Sequence, residues 1–117
     1  MKGGPTLEQR YFQEWVVQQG CILTDSPAKL HQFKDTSFNL KGCHKPWYWC
    51  VIPLCSYWLD EPENKYAIHN NERAFTRYWI SSPLDLWVER VIKPYESEYG
   101  FKPMEDHVFS AITGIRK

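Results

Sequence analysis

The hydrophobic pattern opens on an amphipathic helix. Leu7, Tyr11, Phe12, Trp15 and Val16 recur at steps that put them on one helical stripe. Thr6, with Gln9 three residues later, has the spacing of a capping box, and Gly20 supplies a left-handed stop. Cys21 follows at once, at the entrance to whatever the helix packs on. Beyond the turn at Asp25-Ser26-Pro27, Ala28 to Phe33 reads as a short strand, and residues 34–46, polar and containing Gly42 and Pro46, read as a loop. Tyr48 to Ile52 is the strongest strand pattern, with Pro53 ending it at an edge or a turn. Residues 60–66 are charged and irregular. Asn70 or Asn71 then caps a helix through Trp79, with Phe75, Tyr78 and Trp79 inward and Arg73 and Arg77 outward. Ser82-Pro83 starts another helix, whose stripe of Leu84, Trp87, Val88, Val91 and Ile92 runs to Pro94. A last short helix spans about Pro103 to Ala111 and stops near Gly114. Helix, two strands, then several helices predict an α+β fold: one small domain over residues 1–117, with a short β-hairpin after the N-terminal helix.

Composition sharpens that outline. At 117 residues the chain can bury one modest core, and an aromatic share of 16% gives it enough apolar area to fold without disulfides. Fourteen basic residues balance fourteen acidic ones, whereas a domain that grips a duplex through its phosphates carries a basic excess. The acids concentrate at Asp60, Glu61, Glu63, Glu96, Glu98, Glu105 and Asp106. They form either a solvated face or an acidic surface offered to a basic, nucleic-acid-handling protein. Residues 1–5 lead straight into a charged amphipathic segment with no secretory pattern. The most apolar stretch, Trp47 to Leu59, is thirteen residues long and broken by Pro53, too short to span a bilayer. No membrane association is expected, and the expected compartment is the cytoplasm of a bacterial host cell, with Cys21, Cys43, Cys50 and Cys55 reduced.

Four landmarks carry a family likeness: Gly20-Cys21-Ile22, Leu30-His31-Gln32-Phe33, Ile52-Pro53-Leu54-Cys55 with Trp58-Leu59, and Ala67-Ile68-His69. In order and spacing they resemble the small phage and prophage HNH (ββα-metal) nucleases related to the recombination enhancement function (Ref) family. The likeness covers about residues 8–80, and residues 81–117 form a helical extension outside it. Members of that group carry a Cys-x-x-Cys, a His-His pair, and a Pro-Leu-Cys followed three and four residues on by two histidines. Here Thr24 stands for the second cysteine, Gln32 for the second histidine of the pair, and Trp58 and Leu59 for the last two. By the resemblance, His31 matches a metal ligand and His69 a histidine that follows the second motif, while the general base falls on Gln32. Glutamine accepts no proton near neutral pH, and neither tryptophan nor leucine ligates a hard divalent ion.

What remains of the reactive set is therefore Cys21, His31 and Cys55, with His69 beside it. Each has a structural reading too: the cysteines as small buried hydrophobes, His31 as a satisfied core histidine. Cys43, His44, Cys50 and Cys55 are a second set to weigh for zinc, although their spacing matches no common zinc module. The expectation is a catalytically silent protein that uses no cofactor and acts by binding, as an inhibitor or modulator of nucleic-acid-processing or host-defence machinery, anti-CRISPR-like in role. Trp47, Tyr48, Trp49, Tyr57 and Trp58, with Glu96 and Glu98, are its candidate contact residues. The first alternative is an active metal-dependent nuclease using His31, His44 or His69 with Asp35 or Asp60. A second is a nucleic-acid-binding recombination accessory protein.

Overall fold

A computed structural model describes residues 4–114; residues 1–3 and 115–117, where part of the leader reading falls, lie outside the described residues. The fold is α+β: an N-terminal helix, a two-stranded antiparallel ribbon, and a run of helices. Helix α1 covers Leu7–Gln18 and its capping box is formed, with Thr6 Oγ1 accepting from the Gln9 amide and Gln9 Oε1 accepting from the Thr6 amide. Its buried face is Gln9, Phe12, Trp15 and Val16. Leu7 and Tyr11, predicted on that stripe, are instead exposed, because the ribbon and loop cover only one edge of the helix. Gly20 turns the chain at φ +80°, and a Cβ there would meet the Asp25 carbonyl oxygen at 3.0 Å, so only glycine fits.

Strand β1 is Lys29–Gln32 and β2 is Val51–Leu54, paired so that His31 faces Ile52 and Leu30 faces Pro53. The strand predicted over Tyr48 to Ile52 is thus displaced. Pro46–Trp49 coil into a 3-10 turn, and β2 begins only at Val51. The shift is tertiary in origin: the Trp49 carbonyl accepts from the buried indole of Trp87, 2.9 Å away, which commits that backbone group outside any ladder. Pro53 does not end the strand but lies inside it. Phe33 donates to the Cys50 carbonyl, and alternation by twos from that bond makes Leu30–Pro53 a non-hydrogen-bonded pair. The proline's missing N–H therefore costs the ladder nothing, and its carbonyl, pointing outward, accepts from Ile22.

Helix α2, Ser56–Leu59, is a single turn after β2. Helix α3 is Glu72–Trp79, capped by Asn71, with Phe75 wholly buried; Tyr78, predicted inward, is exposed. Helix α4, Pro83–Trp87, opens on the Ser82 cap as predicted, but the rod does not stop at Pro94. It runs through a π turn at Val88–Ile92 into α5, Lys93–Tyr99. The π turn explains the passage: the Lys93 amide reaches back five residues to Val88, which loosens the ladder where the proline ring would clash and where its N–H is absent. Helix α6, Asp106–Thr113, ends at Gly114 in the left-handed region. Trp87, Val91, Ile92, Val108 and Ile112 from these helices share one core with Phe12, Val16, Ile52, Leu54 and Phe75. Among the described residues no helix is long and apolar enough to cross a membrane.

Candidate functional site

The site residues gather on the side of the ribbon where α2 and the polar loop 60–71 meet β1. His31 is the inward-pointing residue of β1, with only 8% of its surface exposed. His69 reaches it because the loop is pinned back onto α2. The Ile68 amide donates to the Trp58 carbonyl and the His69 amide to that of Leu59, each at 2.9 Å. The loop itself is braced by two asparagines. Buried Asn64 donates to the Tyr57 carbonyl and accepts from the Tyr66 amide, while Asn70 donates to the Glu61 and Asn64 carbonyls. Asn64 was not singled out in the sequence, and Asn70 was named there only as a candidate helix cap, a role that Asn71 takes.

His31 Nδ1 and His69 Nε2 stand 3.3 Å apart, a hydrogen bond between imidazoles. Burial, with His69 nearby adding to it, pulls His31 from 6.5 down to about 4, so its ring is neutral near pH 7. His31 Nε2 is buried with no partner among the described residues. A proton on Nδ1, donated to His69, leaves only a lone pair unsatisfied there.

The same separation is close to that of two nitrogens on one tetrahedral zinc, about 3.3 Å for bonds of about 2.0 Å. The donor set nevertheless falls short. Among the described residues no three His, Cys, Asp or Glu side chains surround a point where an ion could sit. Magnesium would further require oxygen ligands; of the two carboxylates considered for that role, Asp35 is held in its own loop by the hydroxyl and amide of Ser37, and Asp60 is exposed at the end of α2. The residues present do not fit a nuclease metal centre.

The positions that the resemblance aligns with a zinc knuckle also lie together. Cys21 is fully buried, the Thr24 hydroxyl donates to Cys55 Sγ at 3.6 Å, and the Cys21 thiol is among the neighbours that favour the thiolate of that sulfur. Two thiols and a hydroxyl do not make a structural zinc site. The other cysteine set does not assemble either: His44 Nε2 is bonded to the Gly4 carbonyl, and Cys50 donates to the Pro46 carbonyl.

Trp58 is the hub of an aromatic ledge. Its ring lies 5.1 Å from Tyr57, 5.4 Å from Tyr78 and 4.9 Å from Trp79, and Tyr66 packs at a tilt against Tyr78 at 4.8 Å. Tyr57 is 56% exposed and Tyr78 52%. Ile80, ending α3, is 90% exposed and held at φ 54°, a conformation costly for a β-branched residue. Comparison with family models, with curated proteins and with solved structures found no match to this chain.

The remaining predicted contact residues are dispersed. Trp49 is buried in the core, and Trp47 packs on Tyr48, in the 3-10 turn away from the ledge. Glu98 accepts from the Trp15 indole and Glu96 pairs with Lys102, so both acids have partners inside the molecule. Tyr78, Trp79 and Ile80 were not singled out as contact residues. An inward assignment of Tyr78 and Trp79 hid them, and a lone apolar residue after a helix carries no signal of exposure.

Proposed function

We propose that this chain is a catalytically silent relative of the phage HNH nucleases that works by binding a protein partner through the aromatic ledge. The observation that carries the reading is Trp58: at a position where the resemblance calls for a histidine, it is the centre of a partly exposed aromatic cluster. Tyrosine and tryptophan lose little conformational entropy on burial and dominate interface hot spots. Ile80 strengthens the case, since an exposed, left-handed isoleucine gives the free protein nothing in packing. A partner in nucleic-acid-processing or host-defence machinery, in a phage- or prophage-infected bacterium, follows from the family likeness alone.

The rival, a metal-dependent nuclease, has the His31–His69 spacing in its favour. Affinity capture from bacterial lysate with wild-type, Tyr78→Ala and Ile80→Gly chains tests the binding reading. A partner retained by wild-type and lost at least tenfold in both variants supports it, with Ile80→Gly folding as well as wild-type or better because glycine relieves the left-handed strain. Capture that ignores both substitutions sinks the ledge. Plasmid nicking with magnesium or manganese that disappears in His31→Ala establishes the rival instead.

A further inference from the structure

A second group of reactive side chains lies at the turn that closes α1, apart from the histidine pair. The turn is tightly held: Cys21 donates its amide to the Ser26 carbonyl at 2.7 Å, and Asp25 donates back to the Cys21 carbonyl at 2.8 Å. The Ile22 amide docks on the Pro53 carbonyl, which brings the turn against the end of β2 and so against Cys55. Cys55 Sγ receives the Thr24 hydroxyl at 3.6 Å, and the neighbouring Cys21 thiol is among the groups that favour its thiolate. Cys55 is half-buried and reachable from solvent, whereas Cys21 behind it is fully buried.

We propose that Cys21 and Cys55 form a peroxide-reactive thiol pair, with Cys55 as the attacking sulfur and Cys21 as the resolving one. In the first step the Cys55 thiolate attacks one oxygen of hydrogen peroxide or an alkyl hydroperoxide. The S–O bond forms, the O–O bond breaks, and hydroxide or alkoxide leaves and is protonated. The Cys21 thiolate then attacks the sulfenic sulfur; the S–S bond forms, and the S–O bond breaks with loss of water once the leaving oxygen is protonated. Two thiols are oxidised by two electrons and one peroxide is reduced. No further reactant is needed, and an external dithiol reverses the product.

The surroundings support this division of labour. Burial pushes the Cys55 thiol up, but the Thr24 hydroxyl, the Trp58 amide, the Cys21 thiol and the Tyr57 amide together bring it below the ordinary range. Cys50, by contrast, is buried and pushed up to about 12, and burial also raises Cys43. The other two cysteines thus serve as internal controls. The pair owes nothing to the binding reading, so either idea can fail without the other.

The test treats the reduced full chain with a few equivalents of hydrogen peroxide at neutral pH, blocks free thiols with maleimide, and maps peptides by fragmentation. The expected product is a Cys21–Cys55 link, about 2 Da lighter than the reduced protein, reversed by dithiothreitol, with Cys43 and Cys50 carrying maleimide. In Cys21→Ala the sulfenic acid persists, and dimedone labels Cys55. Thr24→Val, which removes a surface hydroxyl and leaves the core alone, slows alkylation of Cys55 by iodoacetamide roughly three- to tenfold. The proposal is overturned if wild-type thiols all survive, if Cys43 oxidises as fast as Cys55, or if the link joins any other pair.

Discussion

His31 is the residue on which the most physical chemistry converges. It is buried, bonded to His69 on one side, and without a partner on the other among the described residues. Because its folded value of about 4 lies below the 6.5 of an unfolded chain, the unfolded state binds the extra proton first as pH falls. Its contribution to stability is therefore complete above about pH 6.5 and is lost progressively toward pH 4, by an amount on the order of 3 kcal/mol. Urea unfolding of wild-type and His31→Leu at pH 7 and pH 4.5 checks this. The wild-type should lose stability between the two, and the variant should lose less by most of that amount. An equal loss in both would show that other groups set the acid limit. His31 itself was legible in the sequence through its place in the Leu30–Phe33 landmark; its hydrogen-bond partner, His69, is thirty-eight residues away and was joined to it only by the folded loop.

At the scale of elements, the outcome follows how local each signal was. The N-terminal helix, the Asn71 and Ser82 caps and the Gly114 stop all lie within a turn of the residues that specify them, and all formed where the pattern placed them. The 3-10 turn at Pro46–Trp49 and the passage of the long helix through Pro94 did not, because each answers to a distant contact or to slack in the ladder. Gln9 shows both kinds of signal in one side chain. It completes the capping box and also donates to the carbonyls of His44 and Lys45, at 2.8 and 3.3 Å. Gln9→Ala should thus cost about 2–4 kcal/mol, since it removes the side-chain half of the capping box and leaves two part-buried carbonyls without its amide, whereas Thr6→Ala should cost about 1 kcal/mol. Denaturant midpoints of the two variants measure the gap. Equal losses would reduce Gln9 to a cap and nothing more.

For the molecule as a whole, the balanced charge and the ledge make one prediction together. A partner held on Tyr57, Trp58, Tyr78 and Ile80 buries mostly apolar surface, so its Kd should move less than about tenfold between 50 and 200 mM salt. A complex resting on six to ten phosphate contacts loses about a thousandfold or more over the same range. Titration of the captured partner at the two salt concentrations distinguishes them. A steep dependence, with retention of nucleic acid, would transfer the chain to the nucleic-acid-binding class.

The sequence by itself determined the α+β order of elements and the helix caps and stops, because each is a property of residue type at short range. Only the tertiary structure decided which of the candidate residues meet. It joined His31 to His69 and Cys21 to Cys55, sent Trp49 into the core and left Tyr78 and Ile80 outside. The physical reason is that such pairings depend on loop closure and on which helical face a neighbour covers. Both are fixed by packing across the whole chain, and neither leaves a mark in local hydrophobic spacing.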